Sequence, residues 1–185
     1  MKLLIFILFG LSLLLTISET TNVELPPAYY GSYYISKRTG YWEYLDYFNY
    51  DFYDKIVEFA RSSTIFIVKT SHPASFDFIK GTKSRNETIW NAMTLGVPQQ
   101  LWENDGYKKV VFVLENGILT EKILWRKKSG FARKKNPVIH YYIVNGELEV
   151  YIKYRTSPRT PKEAKLIYKR GVEPSFFQKV KNFFG

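Results

Sequence analysis

Hydrophobic and polar positions follow three rhythms along this chain. Leu3 to Leu15 form an almost uninterrupted apolar run behind Lys2. Gly31 to Arg38 is rich in β-formers, and two short helical patterns follow, Trp42 to Phe48 and Asp51 to Ala60, the second placing Phe52, Ile56 and Phe59 on one face. After Arg61 the rhythm becomes that of short strands spaced by roughly ten residues. They are Thr64 to Thr70, Ser75 to Lys80, Thr88 to Met93, Gln99 to Glu103, Lys109 to Glu115, Ile118 to Arg126, Ile139 to Val144, Glu147 to Tyr154 and Ala164 to Lys169.

With Gly31 to Arg38 this makes ten strands, joined in two places by Asn116-Gly117 and Asn145-Gly146. Asn-Gly suits the positive φ angles of a two-residue hairpin turn, so neighbouring strands are expected to pair antiparallel. A long antiparallel meander exposes its edges unless it closes, and closure creates an interior. The pattern therefore predicts an all-β fold, a ten-stranded up-and-down barrel with a helix-turn-helix lid between strands 1 and 2. No internal repeat or Gly/Ser linker divides the chain.

The leading apolar run, of about 13 residues, fits a signal-peptide core and falls short of the roughly 20 that cross a bilayer. Cleavage after Ser18 is expected, giving a secreted, extracellular protein with residues 1–18 as signal, 25–170 as barrel and 171–185 as an amphipathic C-terminal tail. There is no cysteine, so the core must hold without disulfides, and 14 Phe, 15 Tyr and 4 Trp supply its bulk. The formal net charge of +10, or +9 once Lys2 is lost, points to anionic partners such as membrane surfaces or glycans.

Gly31-Ser32-Tyr33-Tyr34-Ile35 followed by Gly40-Tyr41-Trp42-Glu43-Tyr44-Leu45 resembles the N-terminal signature of the intracellular-type fatty-acid-binding protein family. Trp42 stands where that family has an acid, and Glu43 comes one place later. A signal peptide and long connections make the chain most similar to the family's exported, roundworm-type branch. True lipocalins, exported eight-stranded barrels, share a Gly-x-aromatic start, but the helix pair after the first strand favours the ten-stranded β-clam. The resemblance implies a lipid carrier with no cofactor. It also implies an Arg-x-Tyr motif on the last strand that holds a carboxylate, yet here Leu166 precedes Tyr168 and Tyr141 falls at the second anchoring position. Lys165 alternates onto the other face. Tyr168, Tyr141 and Leu166 are thus the candidate ligand contacts. A buried carboxylate lacking a charged partner would forfeit about 1.5–3 kcal/mol, so a less charged lipid, or a head group at the mouth, is expected.

Strand parity sorts the connections into two ends. Those sharing an end with the helices contain Lys83, Arg85, Lys127, Lys128, Arg133, Lys134 and Lys135, whereas the opposite set holds no lysine or arginine. The basic set is a candidate rim for contact with anionic membranes. Asn86-Glu87-Thr88 is a glycosylation sequon, with Asn86 its acceptor. Pro174 to Gly185 can form a short amphipathic helix, with Phe176, Phe177, Val180, Phe183 and Phe184 on one face.

With only His72 and His140, no cysteine nucleophile, no metal-ligand spacing and no phosphate loop, the sequence assembles no reaction. The rival reading is a secreted basic binder of sulfated glycans without lipid transport. Export argues against nucleic acid. A barrel whose aromatics simply fill it is a third possibility, and a monomer is expected.

Overall fold

The computed structural model describes residues 24–81, 88–103, 106–126, 136–157 and 160–171. A 3₁₀ turn at Pro27–Tyr29 leads into β1 (Gly31–Thr39), followed by two helices, α1 (Tyr41–Tyr47) and α2 (Phe52–Arg61). Then come β2 (Thr64–Lys69), β3 (Ser75–Lys80), β4 (Thr88–Thr94), β5 (Gln99–Glu103) and β6 (Gly106–Glu115). The remaining strands are β7 (Ile118–Arg126), β8 (Val138–Val144), β9 (Glu147–Ser157) and β10 (Thr160–Arg170).

All ten strands form one antiparallel sheet in the order β4-β3-β2-β1-β10-β9-β8-β7-β6-β5. The sheet curls until its edge strands β4 and β5 approach each other, where the Gln99 side-chain amide donates to the Ala92 carbonyl at 3.0 Å. The result is the nearly closed ten-stranded barrel that the sequence pattern predicts, with both helices between β1 and β2.

Local chemistry explains the corners. Asn116-Gly117 and Asn145-Gly146 both take positive φ at each position, 52° and 77°, then 51° and 79°, which matches the twist of the strands they join. Gly40, at φ 66°, turns the chain from β1 into α1, and a Cβ there would lie 3.0 Å from the Glu163 carbonyl oxygen of β10. Asp51 caps α2, its carboxylate accepting the Asp54 N–H at 2.7 Å.

The two ends of the barrel differ. At the end opposite the helices, the 3₁₀ turn closes the opening with buried Leu25 and Tyr29. The Tyr29 hydroxyl lies 2.8 Å from the Gly117 carbonyl and 2.9 Å from that of Tyr141, and accepts the Leu119 N–H at 3.1 Å. At the other end the helices form the cap. The expected common face of α2 is only partly buried: Phe59 packs on Tyr41 and Trp42, but Phe52 is 71% exposed and Ile56 48%.

Strand alternation sends one side chain in two to the interior. Phe76 and Phe78 of β3, Trp90 of β4, Phe112 of β6 and Tyr141 of β8 meet there with ring centroids 5.3–6.3 Å apart. Three strands run at least three residues longer than the hydrophobic pattern predicts. β6 starts at Gly106 instead of Lys109, β9 continues to Ser157, and β10 spans Thr160–Arg170. Backbone pairing continues past the last apolar residue in each, because the ladder bonds peptide groups and not side chains.

Candidate functional site

The interior that the helices cap contains a cavity of about 70 Å³. Tyr41, Tyr44 and Leu45 of α1, Tyr50 of the inter-helix turn, and Glu58 and Arg61 of α2 form its roof. Ile123, Ile139 and Ile152 of β7, β8 and β9 form an apolar wall, and Lys80, Thr88, Lys108 and Glu121 a polar one.

Glu121 is fully buried, at 0% exposure, in the middle of β7 between inward-facing Leu119 and Ile123. Lys108 of β6 is almost as deep, and its Nζ lies 3.2 Å from Glu121 Oε1. Lys80, at the end of β3, places its Nζ 3.6 Å from Glu121 Oε2, while the Tyr141 hydroxyl donates to the same oxygen at 2.7 Å. Both ammonium groups also lie over the Trp90 ring, Lys108 at 4.0 Å and Lys80 at 5.0 Å from its centroid. Burial by itself would raise the Glu121 pKa, but the two ammonium groups, with the Tyr141 and Lys108 hydrogen bonds, outweigh it and hold the pKa at about 2. The Tyr141 phenol is pushed well above its ordinary range by burial and by the adjacent carboxylate. At neutral pH the cluster is therefore an ionised carboxylate and a neutral phenol beside the two lysines.

Tyr168 and Leu166 both point inward from β10 and are buried, whereas Lys165 faces outward and pairs with Glu149 at 2.9 Å. The Tyr168 hydroxyl donates to the Ser62 carbonyl, at the C-terminal end of α2, at 2.9 Å. Arg38 of β1, opposite Leu166 in the ladder, donates from Nη2 to the Phe59 carbonyl at 2.8 Å and stacks on the Phe59 ring. Carbonyls at the C-terminal end of α2 thus engage the two polar groups nearest the motif position. None of Tyr168, Leu166 and Tyr141 is among the described residues that line the cavity; Tyr141 reaches it through Glu121.

The seven candidate rim residues, Lys83, Arg85, Lys127, Lys128, Arg133, Lys134 and Lys135, lie outside the described residues, as do Asn86, the leader 1–18 and the tail from Val172 onward. The strands place the departure points of segments 82–87 and 127–135 at the helical end, and that of the tail, after Arg170, at the opposite end.

Sequence reasoning singled out none of Lys80, Lys108 and Glu121 as ligand contacts. A signal for them existed. Lys108, Val110 and Phe112 alternate inward, as do Leu119, Glu121 and Ile123, so each polar residue interrupts an apolar face.

No family model matches the sequence, and no curated protein is similar to it. Solved structures share the fold. "As-p18, an extracellular fatty acid binding protein" is 18% identical with a TM-score of 0.65 over 80% of this chain and 100% of its own. Fatty-acid-binding protein 1 of Echinococcus granulosus is 12% identical, with a TM-score of 0.61 over 80% of this chain and 100% of its own. A human protein described as cRBP IV is 15% identical, with a TM-score of 0.59 over 79% of this chain and 100% of its own.

Proposed function

We propose that this protein is a secreted carrier of a fatty acid or related hydrophobic lipid, taken into the barrel from the helical end, and that it is not an enzyme. The observation that carries this reading is the cavity beneath the helical cap, with isoleucines on one wall and hydrogen-bonding groups on the other. The neighbours of the same fold described as fatty-acid-binding proteins support it, as does the resemblance of the Gly31 to Leu45 segment to that family's N-terminal signature. The leader-like Lys2 to Leu15 segment supports export.

The cavity, at about 70 Å³, is far below the roughly 300 Å³ at which ligand pockets begin. Lipid uptake therefore requires the interior rings to move. Each buried CH₂ contributes about 0.8 kcal/mol toward that displacement before association costs. Transfer through a basic rim to anionic membranes is part of the same proposal. It is supported by the charge sorting of the loops and by exposed Phe52, Tyr53 and Ile56 at the helical end.

Mass spectrometry of protein secreted by its native source tests the reading: a bound lipid at about one per chain is expected, with the chain beginning after Ser18. A lipid-free barrel that neither binds fluorescent fatty acid nor shifts its Trp fluorescence on addition of lipid would indicate an aromatic-filled structural protein. Salt-sensitive heparin binding without lipid displacement would establish the polyanion-binding alternative.

A further inference from the structure

Strand alternation leaves a second apolar surface, on the outside of the barrel. The ladder register sets Ser32 of β1 opposite Phe66 of β2, Phe66 opposite Ile79 of β3, and Ile79 opposite Ile89 of β4. Their chain neighbours Tyr33, Ile65, Phe78 and Trp90 are buried in the interior, so this row faces outward. Ile89 is 47% exposed, and Val68, the next residue on the same face of β2, is 45% exposed. Phe66, Val68, Ile79 and Ile89 lie outside the interior cluster.

The chain's C-terminal end is delivered to this row. The Gly171 N–H donates to the Ser32 carbonyl at 3.0 Å, and a Cβ on Gly171 would lie 3.7 Å from the ring of Tyr34, which shares the outer face with Ser32. Fourteen residues follow Gly171, and among them Phe176, Phe177, Val180, Phe183 and Phe184 recur at helical spacing, with Lys179 and Lys181 off that face. The lengths agree. Three strand intervals of about 4.8 Å make the row about 14 Å long, and a helix rising about 1.5 Å per residue covers about 12 Å from Phe176 to Phe184. Val172 to Ser175 supply about 13 Å of reach between the end of β10 and the first phenylalanine.

We propose that Pro174 to Gly185 folds as a helix and docks on this outer row, with its phenylalanines running from Phe66 across Ile79 to Ile89. The occupant is the chain's own tail because the strand that carries it ends beside the row and its apolar length matches the rest. Docked there, the tail straps edge strand β4 back to β1 and β10, in the half of the sheet that meets β5 through the Gln99 amide. The docking does not depend on what the barrel holds.

The chain has no cysteine, so introduced thiols report contacts without background. In the full-length protein, Ile89→Cys combined with Phe183→Cys should form an intramolecular disulfide under mild oxidation. Leu124 of β7, 50% exposed, provides the control position. Leu124→Cys combined with Phe183→Cys should link about tenfold more slowly or not at all. Equal rates for the two pairs overturn the docking. Disulfide-linked dimers overturn it in favour of a second copy on the row. Linkage in neither pair also overturns it, and tail-dependent partitioning onto phosphatidylserine vesicles would then assign the tail to a membrane surface. Hydrogen exchange of the unmodified full-length chain gives a second measurement. Amides from Phe176 to Phe184 should exchange about tenfold or more slowly than in the isolated peptide, and Ile79→Lys should remove that protection. Exchange at the peptide's rate, or protection that Ile79→Lys leaves unchanged, overturns the docking.

Discussion

At the scale of single residues, Glu121 is the most consequential position in the chain. A carboxylate in the interior is costly unless charge and hydrogen bonds compensate it, and here Lys80, Lys108 and Tyr141 do so. Its folded pKa of about 2 lies below the ordinary 4.5, so the stability it contributes is fully present above the ordinary value. That contribution is lost as pH falls through the window from 4.5 to about 2. In urea denaturation from neutral pH down to this window, wild type should lose stability more steeply than Glu121→Gln, which has nothing there to titrate. Parallel pH profiles would remove Glu121 from the account of acid stability. Tyr168 shows the converse case. Its position on the last strand was legible, but the use of its hydroxyl was not, because Ser62 is 106 residues away in sequence.

At the scale of elements, hairpins and helices answer to local chemistry, whereas strand ends answer to pairing. The two Asn-Gly turns occur where the sequence places them, since their φ angles depend on the two residues themselves. β6 extends three residues upstream of its hydrophobic pattern, and that extension brings Lys108 into the interior. The 3₁₀ turn at Pro27–Tyr29 has no hydrophobic period to announce it, yet it closes one end of the barrel and ties β7 to β8 through one hydroxyl. Tyr29→Phe retains the ring and removes that hydroxyl, leaving the Leu119 N–H without its acceptor there. A loss of about 1–3 kcal/mol is expected in chemical denaturation, while the affinity for lipid, whose cavity lies at the other end, should not change.

At the scale of the whole molecule, a barrel with this many rings inside trades capacity for packing. Phe112 lies within 5.3–6.3 Å of Phe76, Phe78, Trp90 and Tyr141, so it is the ring whose removal opens the most continuous space. Phe112→Ala should cost about 3–5 kcal/mol of stability and, on the carrier reading, accelerate lipid uptake in stopped-flow Trp fluorescence. Unchanged uptake kinetics would mean that the aromatic cluster does not limit admission. The sequence by itself determined the architecture: the order of strands, the helix pair, the inward placement of Leu166 and Tyr168, and the end of the barrel at which segments 82–87 and 127–135 leave the strands. Each of these depends on period, parity or turn chemistry, which are local properties. Only the tertiary structure decided what the interior contains. The meeting of Lys80, Lys108, Glu121 and Tyr141 requires the curled sheet to bring β3 to the adjacent strands β6, β7 and β8, and the small volume left between them depends on how side chains from many strands fill it.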